Sequence, residues 1–199
     1  LPAISELLEC LIGNPNLLKA RKEKYEVPLP TFRLDHINVH THVQKGFEGG
    51  QLHGGWNGTA GLYRYDNGVM YNGLTTVSFE LFDTKPNNGG FACIPGSHKA
   101  NVQLPENWRD LSKGVNACIE RVSAKPGDAI IFTEALTHGT LPWDVDEKRT
   151  TVFYKFSPHA LTWSADFFNP DDFVGYEDMD RRKLALLEKP NARYPQRPR

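Results

Sequence analysis

The sequence predicts a mainly β fold of the sandwich or barrel kind, flanked by helices at both ends. Three observations carry this: helical periodicity confined to the two ends, six short β-type segments between them, and turns of Gly, Asn and Pro separating those segments. At the start, Ile4, Leu7, Leu8 and Leu11 recur at helical spacing in a stretch from Leu1 to about Tyr25; Gly13 breaks the run and Pro15 can open a second short helix. Beyond Pro28 and Pro30 the β-type segments fall at roughly 32–40, 74–82, 91–94, 117–123, 128–133 and 150–156. From Asp178 to Glu188, Leu184, Leu186 and Leu187 stand beside Arg181, Arg182 and Lys183, and the run stops at Lys189-Pro190, which predicts a C-terminal helix. Between Gly49 and Gly73, eight glycines in 25 positions read as an irregular loop or lid through which backbone approaches something closely.

The 199 residues suit one domain, and 39% hydrophobic with 24% charged residues excludes a wholly disordered chain. A formal net charge of -1 provides no global field for a nucleic acid or an acidic membrane, so neither is an expected partner. Apolar runs such as Ala129 to Phe132 are too short to cross a bilayer, and nothing at the start reads as a signal peptide. Cys10, Cys93 and Cys118, odd in number and widely spaced, are expected to be reduced buried thiols, in keeping with a soluble cytoplasmic protein. A first residue of Leu1 in place of Met suggests an incomplete N-terminus.

Among the seven histidines, His36, His40 and His42 alternate along one strand face, as either a polar face or a three-His metal site. His159 carries no supporting pattern and is read as structural. His138 differs, because it follows a buried strand and a turn in the run from Pro126 to Thr140, and Arg149 opens the next strand eleven residues on. On neighbouring antiparallel strands both can face a barrel interior, with the Arg fork offered to a carboxylate, which would place a metal beside an organic acid. The same spacing is met by an Arg in a surface ion pair.

Three blocks, in order, resemble the phytanoyl-CoA dioxygenase-like branch of the Fe(II)/2-oxoglutarate oxygenases: Leu52-His53-Gly54-Gly55, then Asn87 through Pro95-Gly96-Ser97-His98-Lys99, then Gly127-Asp128 through His138-Gly139-Thr140 to Arg149-Thr150-Thr151. The resemblance runs from about residue 30 to 160. It implies a double-stranded β-helix, the jelly roll of cupin-like proteins, and Fe(II), 2-oxoglutarate and O2 as cofactors. Carried over by position, His53 and His138 would bind iron, Arg149 the distal carboxylate of 2-oxoglutarate, and Thr140 would supply a hydroxyl beside it. Thr151 is a further candidate for that pocket, and His98 would be structural. Trp56, Tyr63, Tyr65, Tyr71 and Trp143 are candidates for the pocket wall or for core packing.

One position departs from that family's pattern. Its hydroxylases carry a carboxylate two residues after the first His, and here Gly55 stands there. Two imidazoles and one side-chain anion normally form the facial triad of such an iron site. The missing anion could be replaced by water, by a distant acid such as Asp66 or Glu80, or by chloride, as in the related halogenases where Gly or Ala occupies this position. The resemblance therefore implies oxidative modification of an unactivated C–H bond of a small substrate, with Gly55 tilting slightly toward halogenation over hydroxylation. A non-catalytic jelly roll that binds a metal or ligand is the alternative of another class.

Overall fold

The computed structural model describes residues 1–13, 19, 29–54, 61–100 and 102–192. Among them, helix α1 (Pro2–Leu11) is followed by nine strands: β1 (Phe32–His42), β2 (Tyr63–Asp66), β3 (Val69–Asn72), β4 (Thr75–Glu80), β5 (Gly90–Cys93), β6 (Glu120–Arg121), β7 (Ala129–Thr133), β8 (His138–Leu141) and β9 (Arg149–Pro158). Helix α2 (Arg181–Leu186) closes the described chain. One sheet runs β1-β9-β4-β7 and a second β6-β5-β8, every pair antiparallel. A bridge between His53 and His138 adds the segment around His53 beside β8. Two facing antiparallel sheets, between which the chain crosses repeatedly, make the jelly roll that the resemblance implied.

Alternation along each strand decides what fills the interior. On the outside of the larger sheet, Val77 packs with Phe32, Leu8 and Ile12, so α1 covers that face through its apolar stripe. Behind the smaller sheet, Ala92 and Leu141 join Leu52, Leu111 and Ile119 in a second cluster. Between the sheets lie Phe91, Cys93 and Phe132, with the rings of Phe91 and Phe132 4.7 Å apart. Thr76 and Lys155 are register partners on β4 and β9, as are Glu80 and Thr151.

Several elements differ from the sequence expectation. The glycine-rich stretch holds a hairpin, β2–β3, turned by Asn67 (φ 49°) and Gly68 (φ 80°), the positive-φ pair that a two-residue hairpin loop requires. Strand β8 was not anticipated, and the segment at 117–123 shortens to Glu120–Arg121. The C-terminal helix starts at Arg181, not near 178, because the Asp180 carboxylate caps it by accepting from the Arg182 and Lys183 backbone N–H groups. The second short helix expected from Pro15 lies outside the described residues. All three cysteines are free thiols, but only Cys93 is buried; Cys10 and Cys118 are exposed, contrary to the expectation. Among the described residues no helix is long and apolar enough to cross a membrane.

Candidate metal centre

His53 and His138 meet through backbone pairing. The His53 N–H donates to the His138 carbonyl at 2.9 Å and the His138 N–H to the His53 carbonyl at 2.8 Å, which brings the rings to 4.3 Å. Gly54 permits the approach: at φ +125° it takes a conformation closed to most side chains, and a Cβ there would stand 2.1 Å from the Leu136 carbonyl oxygen. Both imidazoles are oriented by the same device. His53 Nδ1 lies 2.9 Å from the Gln51 carbonyl oxygen and His138 Nδ1 2.7 Å from that of Leu136, each two residues back. A carbonyl only accepts, so Nδ1 carries the proton and the Nε2 lone pair is left for a metal. Burial pushes the His138 pKa down to about 4 against the opposing pull of Glu134, so the ring is neutral, the ligand form, at physiological pH.

Glu134 is the third donor. It follows β7, whose inward positions run Ile130, Phe132, Glu134, and its Oε2 lies 3.6 Å from His138 Nε2. Donor atoms of His53, Glu134 and His138 all fall within 4.8 Å of one another. Burial works against ionisation of Glu134, but the pull of His138 in acid, where that ring is protonated, and of Lys155, with hydrogen bonds from Lys155 and Thr76, holds its pKa below the ordinary carboxylate value. Gly55 lies outside the described residues. Neither acid suggested as a substitute joins the cluster: Asp66 is half exposed, facing Arg64, and Glu80 is buried against Arg149.

A cavity of about 80 Å³ runs from the two imidazoles to Arg149, lined also by Thr140, Lys155 and the rings of Phe91, Phe132 and Phe153. Arg149 is buried; its Nη2 donates to Glu80 Oε1 at 3.1 Å, and its Nε and Nη1 have no protein acceptor. Two buried, unpartnered nitrogens of a fixed cation match a carboxylate in charge and in hydrogen-bonding need. Thr140 lies on the cavity wall. Thr151 does not line it: its hydroxyl donates to Glu80 Oε2 at 2.7 Å, so it supports the acid that holds Arg149. His40, also on the wall, is held below its ordinary pKa by burial and then by the positive charges of Arg149 and Lys155.

A second cavity, of about 330 Å³, shares His53 and opens outward past Gly54 and Thr137 to Leu104, Trp108 and Arg109. Of the aromatic candidates for pocket wall or core packing, the four that are described line neither cavity. Tyr65 and Tyr71 are exposed, Trp143 is fully buried with its indole N–H on the Glu147 carbonyl, and Tyr63 packs edge-on against His98 at 4.7 Å. Trp56 lies outside the described residues. Of the alternating histidines on β1, His36 pairs with Asp35, His40 lies against Phe153 and His42 stacks on Phe47, so they form no metal site. His159 is buried, in keeping with a structural role.

The fold is a jelly roll with two histidines and an arginine facing one cavity. Residues 2–150 match the family model of phytanoyl-CoA dioxygenase, and the chain belongs to that family of dioxygenase-type enzymes. Among solved structures it is similar to HygX from Streptomyces hygroscopicus with nickel and 2-oxoglutarate bound, at TM-score 0.63 and 21% identity over 80% of this chain and 63% of that one. A second HygX structure, with nickel, 2-oxoglutarate and hygromycin B, gives TM-score 0.62 at 21% identity over the same shares. EvdMO1 gives 0.54 at 20% identity over 79% of this chain and 30% of that one. The chain thus spans less than two thirds of the length of HygX. Comparison with curated protein sequences gave no significant match.

Proposed function

We propose that this chain carries the centre of an Fe(II)/2-oxoglutarate-dependent oxygenase that modifies an unactivated C–H bond of a small organic substrate, with His53 and His138 on the iron and Arg149 on the cosubstrate. The carrying observation is one cavity with two Nε2-presenting imidazoles at one end and two unpartnered guanidinium donors at the other. Held by His53, His138 and Arg149, iron and 2-oxoglutarate would supply oxygen activation, with overall conversion of R–H, O2 and 2-oxoglutarate to R–OH, succinate and CO2. The protein's part is positioning. Arg149, held by Glu80 and through it by Thr151, fixes the far carboxylate, while Phe91, Phe132 and Phe153 keep water from the cavity. Thr140 offers a hydroxyl on the cavity wall. The outer cavity, sharing His53, is where the substrate would present its C–H bond; its mixture of Leu104, Trp108, Gln103 and Arg109 suits a molecule with both apolar and polar parts. The hygromycin B bound in a HygX structure is a precedent for a small organic molecule beside such a centre.

Gly55 supports a second reading, halogenation, in which chloride would replace hydroxyl in the product and the second oxygen atom would leave as water. Succinate release from 2-oxoglutarate under air, with and without Fe(II), tests the principal reading. Iron-dependent succinate that disappears in His53→Ala and His138→Ala is the expected result, and no succinate under any iron supply in the folded protein would overturn it.

A further inference from the structure

We propose that Glu134, four residues before His138, supplies the side-chain anion that Gly55 does not, completing a His53–Glu134–His138 metal site. This rests on the iron reading above and decides its product type. The first support is position. β7 alternates inward at Ile130 and Phe132, and the next inward residue is Glu134, whose N–H continues the ladder by donating to the Leu74 carbonyl at 2.9 Å. The carboxylate therefore comes within 4.8 Å of both imidazoles from a strand that pairs with neither histidine's own segment.

The second support is how its oxygens are used. Oε1 is taken twice, accepting from Thr76 Oγ1 at 2.6 Å and from Lys155 Nζ at 2.7 Å. Oε2 accepts from neither and faces His138 Nε2 at 3.6 Å. With each Nδ1 on a backbone carbonyl, both imidazoles have Nε2 left for a metal, and the donor atoms of the three residues lie within 4.8 Å of one another. Donors about 2.1 Å from one ion and at right angles stand about 3 Å apart, so the Glu134–His138 pair is near that spacing already.

The third support is charge. A divalent ion between two neutral imidazoles needs an anion nearby, and among the described residues Glu134 is the carboxylate in the cluster. The pattern of one anchored and one free oxygen is how ligating carboxylates are commonly oriented. An occupied carboxylate position leaves no charge deficit for chloride to fill, so the product is the alcohol, not the chloride.

Anaerobic titration with Co(II), whose visible bands report its ligand set, tests this in wild type, Glu134→Gln, Glu134→Ala and His138→Ala. Outer-shell partners commonly change metal affinity about 10–100-fold, so loss of a direct ligand is expected to cost at least about a hundredfold in Glu134→Gln, with altered bands. Formate should restore binding to Glu134→Ala by occupying the emptied position, and added chloride should alter the bands of Glu134→Ala but not of wild type. Folded Glu134→Gln with wild-type affinity and bands, while His138→Ala fails to bind, would overturn the role of Glu134 and leave the oxygenase reading standing. Wild type and His138→Ala behaving alike would instead overturn the reading and the ligand with it. Should Glu134→Gln fail to fold because Lys155 is left buried and unpaired, Glu134→Gln/Lys155→Met removes that charge and is judged by the same two criteria.

Discussion

Replacing Arg149 by lysine is the most informative single change at the cosubstrate end. Arg149 is buried and already gives one donor to Glu80, while Nε and Nη1 remain for a ligand. Deleting the charge with alanine would leave Glu80 as an uncompensated buried anion, costing about 3–5 kcal/mol of stability and confusing binding with folding. Lysine keeps the charge beside Glu80 but presents a single point donor where arginine presents a fork. It therefore forfeits one charge-assisted hydrogen bond of about 1.5–3 kcal/mol, which is about a ten- to hundredfold loss of 2-oxoglutarate affinity at 1.4 kcal/mol per decade. The assay is anaerobic calorimetry of 2-oxoglutarate into the Mn(II)-loaded protein, with Mn(II) affinity measured separately. We expect the cosubstrate to weaken by that factor while the metal constant holds. An unchanged 2-oxoglutarate constant in folded Arg149→Lys would remove Arg149 from the site and refute the reasoning from its two free donors.

Other outcomes follow from the same geometry. Gly54→Ala puts a methyl 2.1 Å from the Leu136 carbonyl at φ +125°, so it should separate His53 from His138 and abolish tight Mn(II) binding; a variant that binds as wild type would show that the close approach is unnecessary. Asp35 is buried and accepts from Arg33, His36 and the Trp163 and Ser164 N–H groups, so Asp35→Asn should lower stability by about 3–5 kcal/mol in urea unfolding. Although burial raises the Asp35 pKa, those hydrogen bonds outweigh it and hold it below the ordinary carboxylate value. The associated stability is present above the unfolded pKa of about 3.9 and fades as pH falls below it; wild type and Asp35→Asn should converge in acid, and a constant difference down to pH 2 would contradict the linkage. Glu80→Gln leaves the charge of Arg149 unbalanced, so it should lower Tm while 2-oxoglutarate, supplying a replacement anion, raises Tm by more than in wild type; an equal rise would separate Glu80 from the cosubstrate end.

The sequence by itself determined what depends on neighbours along the chain. The apolar stripe of Leu8 and Leu11 and the alternation that makes β4, β7 and β9 are local choices of side chain, and three short blocks sufficed to indicate the jelly roll. Short strands were harder: β6 has two residues and β8 begins His-Gly-Thr, too little for a period to register, and the hairpin was hidden by the glycines around it. Only the tertiary structure decided how the polar residues between the sheets divide. Thr151 and Arg149 share a strand face, yet the register of β9 against β4 spends the Thr151 hydroxyl on Glu80, while the guanidinium keeps two donors for the cavity. Glu134 could have been found by extending the β7 alternation two residues past Phe132, but parity says only that a side chain points inward. Which inward carboxylate meets the imidazoles depends on sheet closure, which pairs Thr76 with Lys155, sets both on one oxygen of Glu134 and leaves the other facing His138. Contacts so far apart in sequence are fixed by strand register and packing, which no local pattern encodes.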